Sequence, residues 1–169
     1  MDLPNTKMWM IRAGRDGTVI HHFLNEDVAY LGWGIGVIRP TDTNANIRQR
    51  LRECYPQENP GALPNIVGML KRFSCEVRIG ETLVTYDPQR RLYHFGIAKS
   101  DAEHQHVVWV DLATGNEVDD ELGYVRKVDW VSTLSRDSLS KFTQNALNPQ
   151  LSHFRVSDQA SEEIRRLST

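Results

Sequence analysis

The chain has 169 residues, 40% hydrophobic and 25% charged, enough for one globular domain that buries its own core. A formal net charge of -2 excludes a protein that coats nucleic acid by bulk charge and leaves only local basic patches for that purpose. Cys54 and Cys75 lack Cys-x-x-Cys spacing, which excludes a disulfide framework or structural zinc and reads as core thiols in a reducing compartment. The first residues carry no basic segment followed by an apolar one, and no run reaches membrane-spanning length; the expectation is a soluble cytoplasmic protein.

Residues 7–14 read as a strand closed by the Gly14-Arg15-Asp16-Gly17 turn. Ile20, Phe23 and Leu24 stand at helical spacing, and Val28-Ala29-Tyr30-Leu31 supplies a second strand. That strand leads into Gly32-Trp33-Gly34, where an aromatic ring between two glycines is open to a flat ligand; the glycines clear side chains and permit unusual backbone angles. On residue type alone, a tryptophan at a tight turn is more often part of the core.

Asn44 can cap a helix reaching Tyr55, with Ile47, Leu51 and Tyr55 inward and Arg48, Arg50 and Arg52 toward solvent or a polyanion. The three prolines in residues 56–64 make a loop, and residues 65–75 form a second packed helix through Ile66, Met69, Leu70 and Phe73. Leu83 to Tyr86 and Tyr93 to Ala98 form a hairpin around Asp87-Pro88-Gln89-Arg90. Residues 107–110 and 124–130 are two more strands separated by a polar loop over residues 114–123, and His104 and His106 fall in a polar loop as well. Ser135 to Leu139 is a capped turn, residues 142–147 continue helically, and residues 153–156 return as a closing strand. From Ser157 the sequence is polar with Ile164 and Leu167 as its only strong hydrophobes and reads as a helix that either docks weakly or leads elsewhere, a polar tail or the start of a linker to an effector domain after a domain spanning residues 1–156.

No Gly-x-Ser-x-Gly, phosphate-binding loop or dinucleotide fingerprint is present, and His21-His22 has no second pair at ligand spacing. Asp111, Glu117 and Lys127 lack the spacing of a metal-dependent nuclease site. The expectation is a protein that is not an enzyme and uses no metal or cofactor.

In order and spacing, Met8-Trp9-Met10-Ile11-Arg12-Ala13-Gly14, Gly32-Trp33-Gly34, Arg72-Phe73 before the segment from Gly80 to Pro88, Tyr93-x-x-Gly96 and Val125-Arg126-x-Val128-x-Trp130 carry a likeness over almost the whole chain. Together they resemble the N-terminal module of Mrr-like restriction proteins, in the EVE and PUA-like group of nucleic-acid readers. They are more distantly similar to the YTH domains that read methyladenine in RNA. Two positions depart from that pattern: Glu81, where many relatives carry Asp, and Ile66-Val67-Gly68, where a tryptophan is expected before the glycine.

The resemblance implies an α+β fold, a twisted and partly open β-barrel with helices against it, and a pocket for a flipped base. Trp33 falls where the YTH readers place a wall of the methyl-base cage. Arg12, Asn44, Tyr86, Asp87 and Trp109 are the expected remaining pocket residues, and Arg48, Arg50, Arg52, Arg90 and Arg91 the expected phosphate contacts. Trp9, Phe73, Phe95 and Trp130 are assigned to the core. The implied function is recognition of a modified base in DNA, on behalf of a nuclease domain or partner chain in a restriction or phage-defence system. An RNA reader of the same fold and a sensor of a nucleotide or another flat ligand stay open beside it.

Overall fold

Strand β1 (Met8–Ile11) is buried at all four positions, so it lies inside a sheet rather than at its surface. The computed structural model describes residues 2–110, 114–148 and 151–169, with residues 118–120 described by backbone alone; Asp111, weighed above as a nuclease carboxylate, lies outside them. After β1 come α1 (Ile20–Glu26), β2 (Val28–Leu31), α2 (Asn44–Cys54), α3 (Leu63–Lys71), β3 (Thr82–Asp87) and β4 (Leu92–Ala98). The chain continues with β5 (Glu103–Val110), β6 (Glu117–Ser135), α4 (Lys141–Ala146), β7 (His153–Arg155) and α5 (Asp158–Leu167).

The strands form one mixed sheet in the order β2-β6-β4-β3-β1-β7, with β5 also paired to β6. Only β1 and β3 run parallel; the other pairs are antiparallel. The 19-residue β6 organises the sheet. Its first half pairs with β5 and β2, its second with β4, and a register shift opposite Phe95 and Gly96 marks an irregularity of the kind that bends a strand. The chain is α+β as expected, and its sheet curls into a half-barrel, a form compatible with the partly open barrel expected above.

One apolar cluster, including Ile11, Phe23, Leu51, Leu70, Phe73 and Leu83, fills the side covered by α1, α2 and α3. A second, including Met10, Val84, Tyr93, Phe95 and Ile164, lies between the sheet and the C-terminal helices. Trp9, Phe73 and Phe95 are core residues as expected, and the half-buried Trp130 donates its indole N–H to Phe23 O at 2.8 Å.

Several segments differ from the sequence expectation. Residues 117–123 are strand, not loop: the ladder from Val107, Val108 and Trp109 to Glu121, Asp120 and Asp119 overrides the weak strand preference of the acidic residues. His104 and His106 therefore belong to β5. The helix expected from Ser157 is α5, capped by Ser157, but it does not dock weakly: Ala160 and Ile164 are fully buried. Cys54 is exposed on α2, so it is no core thiol. Thr43, not Asn44, caps α2, because its extended backbone lets Oγ1 accept the Asn46 N–H at 3.1 Å.

His153 is fully buried, faces Trp9 at 5.6 Å between ring centroids, and shares a hydrogen bond with Met10 O at 2.8 Å. Burial pushes its pKa down to about 3. An unfolded histidine binds a proton below about pH 6.5 whereas this folded one stays neutral, so the stability held above that pH is lost progressively on acidification toward pH 3. Denaturant titrations at pH 7 and pH 5 are expected to differ by about 1 kcal/mol per pH unit, with the slope flattened in His153→Gln.

Candidate functional site

Trp33 follows β2 and is the residue whose backbone is left-handed, at φ 57; Gly32 and Gly34 on either side are not. A left-handed non-glycine residue costs about 1–2 kcal/mol, and such positions persist where their surroundings over-determine them. The constraint is visible here. Gly34 N–H donates to Leu122 O at 2.9 Å, and Gly34 O accepts the Tyr55 hydroxyl at 3.2 Å. Gly34 is needed for close approach rather than for a special angle: a Cβ there would lie 2.6 Å from the Leu122 carbonyl carbon. The Trp33 ring is half-buried against the core, and its indole N–H donates to Glu58 Oε2 at 3.3 Å.

Beside this turn, Glu121 Oε2 accepts the Tyr30 hydroxyl at 3.2 Å and the Trp109 indole N–H at 3.4 Å. Tyr30 and Trp109 meet edge to face at 4.8 Å, and the Cβ direction of Gly32 points to the same carboxylate at 3.8 Å. Trp109 is buried and further held by His22, whose Nε2 accepts the Val110 N–H at 3.1 Å. Trp109 is thus a core residue held by Tyr30, His22 and Glu121, while the Trp33 indole has Glu58 as its acceptor.

The other expected pocket residues are elsewhere. Tyr86 and Asp87 end β3 and, across β4, lie level with Leu134 and Ser135 at the C-terminal end of β6, whereas the Trp33 turn lies against Leu122 near the opposite end. Tyr86 packs on Tyr93 at 4.6 Å, and the Asp87 carboxylate accepts the Gln89 and Arg90 N–H groups of the hairpin turn. Arg12 is exposed just past β1, which runs parallel to β3, and so belongs to that same end of the sheet. Asn44 is exposed in the first turn of α2.

The arginines divide by task. Arg48 and Arg52 are exposed one helical turn apart on α2, the helix that flanks the Trp33 turn. Arg50 is spent inside the fold: its guanidinium donates to Ile35 O at 2.9 Å, Val37 O at 2.7 Å and Asp42 Oδ2 at 3.3 Å. The Arg39 N–H, and then the charge of Arg50, hold the Asp42 carboxyl below its ordinary range. Arg90 is exposed at the hairpin tip, and Arg91 beside it pairs with Asp137 at 2.6 Å.

A cleft of about 360 Å³ opens beside the turn, lined by Val37, Ile38, Ser74, Ala102, Glu103, His104 and Tyr124. His104 and Tyr124 face each other across the β5 and β6 ladder with ring centroids 5.4 Å apart. The Tyr124 hydroxyl accepts the Ile35 N–H at 3.2 Å and donates to Gly36 O at 2.6 Å, and burial pushes its pKa up to about 12. Sequence reasoning missed Tyr30, Tyr55, Glu58, Ser74, Glu121 and Tyr124. A signal existed only for Tyr124, which alternates with Arg126 and Val128 on one strand face.

A family profile described as Domain of unknown function (DUF8426) matches residues 8–152. The chain belongs to the DUF8426 family. No curated protein matches it. The match covers the Trp33 turn, both aromatic partners, the cleft and the arginines of α2, and leaves α5 beyond its end. Among the described residues of this DUF8426 chain, no helix is long and apolar enough to cross a membrane.

Proposed function

We propose that this protein is a non-enzymatic reader that binds DNA, holds a flipped, modified base against Trp33, and targets a nuclease in a restriction or phage-defence system. The fold is proposed to be of the EVE and PUA-like kind, supported by the order of the sequence motifs and by the curled half-barrel. The observation that carries the reading is the Trp33 turn. A half-buried indole is locked in a left-handed backbone by Leu122 and Tyr55, which is how a stacking platform is pre-organised before its ligand arrives. A base taken from the duplex loses a few kcal/mol of stacking, which an aromatic face and edge hydrogen bonds offset. Glu58, at the edge of the Trp33 ring, is an acceptor, so the reading favours a base that presents an N–H donor, as the amines of adenine and cytosine do.

Arg48 and Arg52 would hold phosphates along α2. Replacing either with alanine is expected to weaken binding to all sequences alike and to lower the slope of log affinity against log salt by about 0.9. Arg50→Ala would instead loosen residues 35–42 and show as lost stability. The direct test of the reading is binding to duplexes with and without methylated or hydroxymethylated bases. Preference for one modified duplex supports it; equal, salt-abolished binding to all of them overturns it. A single-stranded RNA with a modified base that outcompetes every duplex would move the target to RNA.

A further inference from the structure

Ser74 Oγ and His104 Nε2 are both shielded from solvent, and neither has a hydrogen-bond partner among the described residues. A buried polar atom left unpaired is costly, so two in the walls of one cleft call for a cause. The cleft, at about 360 Å³, has the size of a small-ligand site. The apolar part of its lining comes from Ile38, Ala102, the ring of Tyr124, and Val37, which is 60% exposed at the rim. Glu103 supplies an exposed carboxylate. The remaining polar groups nearby are already committed, the Tyr124 hydroxyl to Ile35 and Gly36 and the Arg50 guanidinium to Ile35, Val37 and Asp42.

We propose that this cleft is a ligand site distinct from the Trp33 surface, taking the polar edge of an uncharged planar heterocycle whose neighbouring hydrogen-bonding atoms pair with Ser74 and His104. The hydroxyl can donate or accept, and a neutral imidazole nitrogen can do either according to tautomer, so the pair matches the mixed donor and acceptor edge of a nucleobase. Burial, and then the Arg50 charge, lower the His104 pKa and keep the ring in that neutral form. The apolar walls supply the faces on which a flat ring rests. A free base and a base carried on a strand share this chemistry.

The two sources are separated by titrating the full chain with free adenine, cytosine and their N-methylated forms, and in parallel with a short single strand carrying the same bases, while following the ring nitrogens of His104 by NMR. Shifts at His104 with either probe are expected, and the probe that produces them identifies the source. Ser74→Ala and His104→Phe are each expected to weaken binding about tenfold while leaving the melting temperature equal or higher, since each removes an unpaired polar atom. A purely structural role predicts lower stability with unchanged affinity, and that result overturns the proposal, as does an unperturbed His104 with both probes. Free bases that bind at His104 in a protein indifferent to modified duplexes would leave this site standing and remove the DNA-reader reading.

Discussion

Arg126→Met is expected to lower folding stability by about 3–5 kcal/mol, the largest effect of any single exchange considered for this chain. Arg126 heads the fully buried side chains by size, with 1% of its surface exposed. Its guanidinium donates to Phe73 O at 2.9 and 2.6 Å, to Val77 O at 2.9 Å and to Ser100 O at 2.8 Å, and its carbon centre lies 5.3 Å from the middle of the Phe73 ring. These carbonyls belong to the π-turn that follows α3 (Arg72–Glu76), to Val77 just past it, and to the connection from β4 to β5, so one side chain pins two chain reversals to β6. Methionine would fill much of the volume while stranding three carbonyl oxygens in the interior, where an unpaired polar group costs about 1–3 kcal/mol. Lysine offers a point charge without the planar fork and is expected to recover only part of the loss. Chemical denaturation of the three forms measures this, and a cost below about 1 kcal/mol for methionine would show that the carbonyls find other partners.

Trp33→Ala is expected to reduce any preference for a modified base about tenfold to a hundredfold, the equivalent of the 1–3 kcal/mol that one aromatic stack contributes to base binding. Binding to unmodified DNA should change little, because Arg48 and Arg52 stand on α2 and not on the turn. Affinities for matched modified and unmodified duplexes, at one fixed salt concentration, give the comparison. An unchanged preference would remove Trp33 from recognition and leave it as a core residue at a turn. The companion Trp33→Asn separates stacking from backbone shape, since asparagine tolerates the left-handed region at φ 57 without offering an aromatic face.

Much of the fold was readable from periodicity. The hairpin of β3 and β4, the stripe of Ile47, Leu51 and Tyr55 on α2, and the closing strand β7 all follow from local pattern and turn chemistry. The start of β6 was not readable. Asp119, Asp120 and Glu121 disfavour a strand locally and enter one because β5 offers a complete ladder. Likewise α5, with few apolar residues, looked loose until Ala160 and Ile164 found the second core cluster.

The site was legible in kind but not in composition. The sequence by itself singled out Trp33 between two glycines and the arginines of α2, because residue type and spacing are local properties. Only the tertiary structure decided that the left-handed angle belongs to Trp33, that Glu58 accepts its indole N–H, and that Glu121 holds Trp109 in the core. It likewise removed Tyr86 and Asp87 to the far end of the sheet and gave Arg50 to the loop carbonyls. Such partners come from residues tens of positions apart, joined by strand register and helix packing, and no local spacing encodes which of them will meet.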